Sequence, residues 1–145
     1  MIAALMLGRE GSTGFPGKNT APVLGRPMMS YPLLAAGASK KVDEIYVSTD
    51  SEQIKKVARE YDAKIIDRPP ELATKGALGE DAFAHGYQLI CDFHGRPPEL
   101  IVLLFCNAVT ILADTIDEGI RILLQDESLD SAVTVSAYNM WSPIR

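Results

Sequence analysis

The chain has 145 residues, which is enough for one domain with a hydrophobic core. It is 47% hydrophobic and 23% charged, as globular proteins are, and no apolar run approaches the roughly 20 residues of a membrane-spanning helix. The formal net charge of −5 argues against a broad nucleic-acid-binding surface, but not against one cleft that holds a small anion. Two cysteines, Cys91 and Cys106, make no disulfide framework, so we expect a cytoplasmic protein.

The hydrophobic pattern of the first half predicts strands that alternate with helices. Uninterrupted apolar residues predict a strand that is buried on both faces, and apolar spacings of three and four predict a helix. In chain order the predicted elements are a strand at 2–7, a glycine-rich loop at 8–19, a helix at 30–39, a strand at 44–48 and a helix at 52–61. Either Asp50 or Ser51 is expected to cap the last of these helices.

The second half continues the alternation. Its predicted elements are a strand at 63–66, a long loop at 67–79, a helix at 80–93, a strand at 100–105, a helix at 114–124 and a fifth strand at 131–136. Asp114 is expected to cap the last helix. Alternating strands and helices form right-handed crossovers, so we predict a three-layer α/β fold with a Rossmann-like, mostly parallel sheet.

The loop at 8–19, with the sequence GREGSTGFPGKN, is the strongest functional signal. Ligands of open α/β sheets bind beyond the carboxyl ends of the strands, and this loop directly follows the first strand. Its four glycines allow backbone N–H groups to approach phosphate oxygens, while Arg9 and Lys18 add positive charge. The plain alternative is an ordinary glycine-rich connection, which would be long for an α/β unit.

Two common phosphate-binding motifs do not fit this loop. The Walker motif needs glycine where Ser12 stands and a hydroxyl side chain where Asn19 stands. Pro16 also lacks an N–H group that such a loop would use. The dinucleotide motif G-x-G-x-x-G needs glycine where Arg9 stands. The loop therefore follows a different pattern.

Four blocks of sequence resemble, in the same order, the acylneuraminate cytidylyltransferase family, which includes the CMP-sialic acid and CMP-KDO synthetases. The family patterns are A-R-x-G-S-K-x-x-P-x-K-N, L-x-G-x-P-L-I-x-Y, V-S-T-D and R-P-x-E-L-A. Here the blocks are REGSTGFPGKN at 9–19, LGRPM at 24–28 with Tyr31, VSTD at 47–50 and RPPELA at 68–73. The resemblance implies the nucleotide-diphospho-sugar transferase fold. It also implies transfer of CMP from CTP to an acidic, nonulosonic acid-type sugar, with release of pyrophosphate.

The resemblance also implies roles for individual residues. Arg9 and Lys18 are expected to hold the triphosphate as catalytic cations. The expected nucleotide-binding residues are Gly11, Ser12, Asn19, Arg68 and Asn107. Plain alternatives remain. Arg9 and Lys18 could be ordinary surface cations, Asn19 could cap a turn, and Arg68 could be an ordinary charged loop residue. Mg²⁺ is expected as a cofactor because it spreads triphosphate charge, but the sequence does not identify its ligands.

Three departures from the family pattern leave alternatives open. Thr13 stands where the family usually has lysine, and Lys75 where it usually has aspartate. The segment FCNAVTI at 105–111 replaces the family's Q-P-T-S-P-L-R, so Asn107 and Thr110 are the polar candidates for its nucleotide contacts. Two alternatives follow: a nucleotidyltransferase for another base or sugar, and a nucleotide-binding domain without catalysis.

Members of the resembling family are longer than this chain. The part that would follow Arg145 supplies their acidic metal ligands, sugar contacts and dimer-forming arm. The resemblance therefore predicts that residues 1–145 form a single nucleotide-binding domain that stops before the sugar-binding and dimerisation part. The expected partners are CTP and an acidic sugar, with no nucleic acid and no membrane. A homodimer is expected for the full-length protein.

Overall fold

A computed structural model describes residues 1–11 and 14–135 of the chain. In chain order, its strands and helices are β1 (Ile2–Leu7), β2 (Pro22–Val23), β3 (Arg26–Pro27), α1 (Ser30–Ala38), β4 (Glu44–Thr49), α2 (Glu52–Glu60), β5 (Lys64–Asp67), α3 (Gly79–His94), β6 (Leu100–Phe105) and α4 (Ala113–Gln125). Two short 3-10 helices, Lys18–Thr20 and Pro70–Leu72, interrupt the loops. Within the described residues, no helix combines the length and apolarity that crossing a membrane requires.

Four strands form one parallel sheet in the order β5-β4-β1-β6. The central strand β1 pairs with β4 on one side and with β6 on the other. β2 and β3 form a separate antiparallel ribbon. Because β1 is covered on both faces, nearly all of its side chains are apolar and buried. The predicted three-layer α/β fold with a mostly parallel sheet is confirmed.

Side chains of β1 alternate between two hydrophobic cores. Ala4 and Met6 belong to the larger core, which they share with residues of α1, α2 and α4. Ala3 and Leu5 belong to the smaller core, together with Ile90 of α3. The sheet is therefore sandwiched between α3 on one face and the other three helices on the opposite face. This arrangement leaves the carboxyl ends of β1 and β4 open for a ligand.

The prediction of a fifth strand at 131–136 is wrong for residues 131–135, which form no strand. Residue 136 lies outside the described residues. The side chains of Val133 and Val135 are 80% and 90% exposed. An alternating pattern becomes a strand only where a neighbouring strand pairs with it and a core covers its apolar face. Residues 131–135 have neither in the described part of the chain.

The predicted cap of α4 is wrong, whereas Ser51, one of the two residues predicted to cap α2, does occupy the cap position. Asp114 does not cap α4, because the helix begins at Ala113 and Leu112 occupies the cap position. Asp114 instead lies in the first turn, where a negative charge is favourable to the helix dipole. Ser51 occupies the cap position of α2 without a side-chain cap hydrogen bond, and Asp50 bonds to another loop. The ends of all predicted elements that form agree with the structure to within one residue.

Candidate functional site

A cavity of about 260 Å³ lies at the carboxyl end of β1. The loop after β1, the 3-10 helix at Lys18–Thr20 and the start of α2 contribute its lining. Four of the residues predicted from sequence line it: Arg9, Gly11, Lys18 and Asn19. The two predicted phosphate-binding cations therefore face the same concave space.

A larger concave surface among the described residues is a different kind of site. It is a groove of about 740 Å³ between α3, α4 and β6. Its lining is mostly apolar and includes Glu99 and Asp130 but no lysine or arginine. Such a surface repels a triphosphate, whereas the smaller cavity is lined by two cations, Arg9 and Lys18, and one carboxylate, that of Glu10.

Backbone turns place Lys18 and Asn19 on the cavity. Gly11 and Gly17 have φ angles of 75° and 71°, in the left-handed region that residues with a side chain rarely adopt. Immediately after Gly17 the chain enters its 3-10 turn, in which the N–H of Thr20 donates to the carbonyl of Gly17 at 3.1 Å. The glycines thus allow a tight turn that folds back towards Arg9.

Asn19 and Arg9 tie the loop together. The Asn19 side chain is 9% exposed, and its Nδ2 donates to the carbonyl of Arg9 at 3.3 Å. The guanidinium of Arg9 donates through Nη1 to the carbonyl of Thr74 at 2.6 Å. Arg9 therefore connects the loop after β1 with the segment that precedes α3.

Arg68 lies behind the cavity and is not among its lining residues. Its side chain is 8% exposed, and it donates through Nη2 to the carbonyl of Ser48 at 2.7 Å and through Nε to the Ser48 hydroxyl at 3.2 Å. Burial lowers the pKa of this guanidinium, and the nearby Asp50 carboxylate partly offsets that effect. The carbonyl of Ser48 also accepts the N–H of Gly8 at 3.1 Å. Arg68 thereby braces the point at which the glycine-rich loop begins.

Two further predicted residues, Asn107 and Thr110, are not brought to the cavity. Asn107 lies exposed in the turn after β6, and Thr110 is also exposed. Neither lines the cavity. Ser12 lies outside the described residues. The nucleotide-binding roles of Ser12, Arg68 and Asn107 stay predictions, and so do the roles of the predicted residues that line the cavity.

Asp50 belongs to the site in a way that the sequence prediction of a helix cap missed. Its Oδ1 accepts the backbone N–H of Glu10 at 2.9 Å. The available signal was topological: Asp50 follows β4, and the carboxyl ends of neighbouring parallel strands meet at one edge of a sheet.

The charges around the cavity favour binding of an anion. None of the ion pairs formed among residues 1–11 and 14–135 includes Arg9, Lys18 or Arg68. Nearby Cys106 is 3% exposed, and burial raises the pKa of its thiol to about 12. A thiol with this pKa is a poor nucleophile at neutral pH. The site therefore offers charge neutralisation and positioning rather than covalent catalysis.

A metal centre is not formed by these residues alone. Throughout the described ranges, no group of three or more histidine, cysteine, aspartate or glutamate side chains is placed to hold a metal ion. No described side chain is therefore assigned as a ligand of Mg²⁺, and no step of the chemistry is assigned to such a site.

Comparisons with known proteins agree with the resemblance to cytidylyltransferases that the sequence shows. A family model described as cytidylyltransferase matches residues 3–103. The chain is 36% identical over 109 residues to N-acylneuraminate cytidylyltransferase of Oncorhynchus mykiss, an alignment that covers 75% of this chain and 24% of that protein. It is 35% identical over 101 residues to 8-amino-3,8-dideoxy-manno-octulosonate cytidylyltransferase of Shewanella frigidimarina, which covers 67% of this chain and 41% of that protein.

A solved structure with a similar fold is that of CMP:2-keto-3-deoxy-manno-octonic acid synthetase complexed with CTP. It matches with a TM-score of 0.69 and 20% sequence identity, over 88% of this chain and 49% of that one. At this identity the match establishes the fold. The chain spans less than half the length of each of these three proteins.

Proposed function

Because the chain belongs to the cytidylyltransferase family, we propose that it forms the nucleotide-binding part of a CMP-sugar synthetase. The complete enzyme transfers CMP from CTP to an acidic sugar of the nonulosonic type and releases pyrophosphate. The observation that carries the proposal is the cavity after β1, which Arg9 and Lys18 both line. The names of the two relatives support an acidic sugar as the acceptor.

In this proposal the triphosphate binds against Arg9, Lys18 and the backbone around Gly11. Charge-assisted hydrogen bonds from such cations to phosphate are roughly twice as strong as neutral ones. A guanidinium has five N–H donors, and the contact of Arg9 with Thr74 uses one nitrogen, so other donors remain for phosphate oxygens. Ser12 adds a hydroxyl donor from the same loop. Phosphoryl transfer needs this kind of positioning and neutralisation more than covalent catalysis.

We assign recognition of the cytidine to Asn19, with support from Arg68. A side-chain amide offers an acceptor oxygen as well as donors, and cytosine is distinguished from uracil by its exocyclic amino donor. The Nδ2 of Asn19 is engaged by the Arg9 carbonyl, which orients the amide and directs its oxygen elsewhere. Arg68 acts from behind the cavity by holding the end of β4 in place.

Mg²⁺ is part of the proposal because a divalent ion spreads the triphosphate charge and stabilises the leaving pyrophosphate. The described residues do not hold it, so no side chain of this chain is assigned as its ligand.

The proposal is tested by comparing nucleotides. CTP with Mg²⁺ should raise the Tm of the chain by several degrees at about 100 times its Kd, since ligand binding then adds roughly 2.7 kcal/mol of stability. ATP, GTP and UTP at the same concentration should give much smaller shifts. Equal shifts from all four nucleotides would remove the assignment of cytosine, and no shift from any would remove the site.

A second candidate is nucleotide binding without turnover. It is favoured by the lack of a metal-holding group among residues 1–11 and 14–135. CTP-dependent stabilisation without pyrophosphate release, across a panel of sugar acids, would support it. Measurable pyrophosphate release by the 145-residue chain would rule it out.

A further inference from the structure

The central strand β1 is fastened at both ends by aspartates that flank β4. Asp43 precedes β4, and its Oδ2 accepts the N–H of Ile2 at 2.7 Å. Asp50 follows β4, and its Oδ1 accepts the N–H of Glu10 at 2.9 Å. The parallel ladder between the two strands lies between these bonds. The two carboxylates therefore extend the same pairing beyond the sheet in both directions.

The two bonds have different surroundings. Ile2 is buried in the hydrophobic core, far from the cavity. Glu10 lines the cavity, and so do its neighbours Arg9 and Gly11. The bond to Asp50 is therefore placed to affect a ligand, whereas the bond to Asp43 is not.

The Arg9–Glu10 peptide unit is held on both of its sides. Its N–H, from Glu10, donates to Asp50 Oδ1 at 2.9 Å. Its carbonyl, from Arg9, accepts from Asn19 Nδ2 at 3.3 Å. A peptide unit is planar, so two such bonds fix the orientation of the whole plane. Fixing the plane also fixes the Cα atoms of Arg9 and Glu10, which are the points from which the Arg9 side chain and the chain towards Gly11 extend.

We propose that Asp50 is a positioning residue: its carboxylate orients the Arg9–Glu10 peptide so that Arg9 and Gly11 face the triphosphate. The role rests on the proposed function, because it presumes that a triphosphate binds in this cavity. Asp50 also lies close enough to buried Arg68 to offset part of the effect of burial on that guanidinium. Asp50 therefore interacts both with Arg68, which holds the end of β4, and with the loop after β1.

Charge repulsion and a positioning role predict opposite effects of removing Asp50 on CTP binding. A carboxylate beside a triphosphate repels it, so removal of Asp50 through charge alone would tighten CTP binding. A positioning role predicts weaker binding on removal, since the loop then has to be ordered when the ligand binds. The sign of the effect therefore separates the two.

The experiment compares variants of Asp50 with Asp43→Ala, the matched control at the other end of β1. Asp50→Ala should weaken CTP binding about tenfold, the scale expected for losing one hydrogen bond to a charged group. Asp50→Asn keeps an acceptor oxygen without the charge and should restore binding to within about twofold of wild type. Asp43→Ala should leave CTP affinity unchanged. Calorimetric Kd values, with Mg²⁺ present throughout, provide the measurement.

Hydrogen exchange without nucleotide supplies an independent readout. The Glu10 amide should exchange faster in Asp50→Ala than in wild type and stay protected in Asp50→Asn. If Asp50→Ala does not fold, Asp50→Glu takes its place, because it keeps the charge but moves the acceptor by one methylene; its binding should also weaken.

Several results would overturn the inference. The first is an unchanged rate of Glu10 amide exchange in Asp50→Ala. The second is a CTP affinity of Asp50→Ala that equals or exceeds that of wild type. The third is a CTP affinity of Asp50→Asn that is as low as that of Asp50→Ala. If wild type does not bind CTP, the proposed function fails and the positioning role fails with it, while Glu10 exchange still decides whether Asp50 orders the loop. If wild type binds CTP and Asp50→Ala binds it equally well, the positioning role is contradicted and the proposed function is not.

Discussion

The two ends of the parallel sheet hold their polar side chains in opposite ways. At the amino end, Glu44 accepts from Lys64 at 2.6 Å and from the Tyr46 hydroxyl, and His94 Nε2 lies 3.0 Å from the same carboxylate. At the carboxyl end, the cations of the loop and of Arg68 form no ion pair with any described residue. At the amino end the Glu44 carboxylate has its partners within the chain, whereas at the carboxyl end these cations have no carboxylate partner among the described residues.

This difference distinguishes a structural cluster from a ligand site. Charges removed from water are stable only when other groups pair with them. The amino end finds those partners within the chain. The carboxyl end directs positive charge into a cavity, where an anion can supply the partner. It does so in a chain whose net charge is −5, so the local arrangement is more informative than the total.

The largest expected effect is at the carboxyl end. Replacing Arg9 and Lys18 together by alanine should weaken CTP binding by about 100-fold or more, because each cation contributes roughly 1.5–3 kcal/mol when it bonds to a phosphate. The matched control is Lys40→Ala with Arg96→Ala, which removes one lysine and one arginine from exposed positions near the amino end. Calorimetry with CTP and Mg²⁺ measures both. Equal affinities for the two double variants would show that the cavity does not bind the triphosphate.

A smaller effect is expected where the glycine-rich loop begins. A Cβ added to Gly8 would lie 2.9 Å from Cys106 Sγ and 3.3 Å from Ile54 Cδ1. Gly8→Ala should therefore lower the free energy of unfolding by about 1–3 kcal/mol, the usual cost of overpacking a core. In α1, a Cβ on Gly37 would meet only Ile45 Cδ1, at 3.9 Å, so Gly37→Ala should be neutral or stabilising. Urea denaturation compares the two, and equal losses would show that close packing at Gly8 is not special.

Much of the fold was predictable because its signals are local. The uninterrupted apolar run of β1 indicates a strand covered on both faces, and the spacing of Ile54, Val57 and Ala58 indicates a helix with one buried face. The pattern at 131–136 is also local, but whether it forms a strand depends on a neighbouring strand and a covering core. The described residues provide neither, which is why that prediction failed for residues 131–135.

The candidate site was predictable to the extent that it lies on one loop. Arg9, Gly11, Lys18 and Asn19 are close in sequence, and all four line the cavity. The contacts that orient this loop follow no sequence motif, since they join residues far apart in the chain, and only the strand topology brings Asp50 to the same edge of the sheet. Asp50 and Glu10 are 40 positions apart, and Arg9 and Thr74 are 65 positions apart. Which side chain finishes beside which backbone group depends on the packing of strands rather than on a sequence pattern.

The smallest expected effect concerns the closed cluster at the amino end. Hydrogen bonds from Lys64 and then from Tyr46 lower the pKa of Glu44 to about 2, from an ordinary value of 4.5. Because the folded state holds the carboxylate in its charged form, the stabilisation is present above pH 4.5 and is lost as the pH falls towards 2. Glu44→Gln should therefore lower the free energy of unfolding by about 1 kcal/mol at pH 7, a value reduced because the cluster is partly exposed to solvent.

That difference should shrink when urea denaturation is repeated at pH 5, 4 and 3. In this range the unfolded chain takes up a proton on Glu44, whereas the folded state, with a pKa of about 2, does not. Glu60→Gln, which removes an exposed carboxylate from α2, serves as the control and should change the free energy of unfolding by less than about 0.5 kcal/mol at pH 7. CTP affinity should be the same in both variants, since neither residue lines the cavity. A loss in Glu44→Gln that stayed constant down to pH 3 would show that packing, rather than the paired charge, holds the amino end together. A loss of CTP affinity in that variant would show that the two ends of the sheet are coupled, which contradicts the division of roles between them.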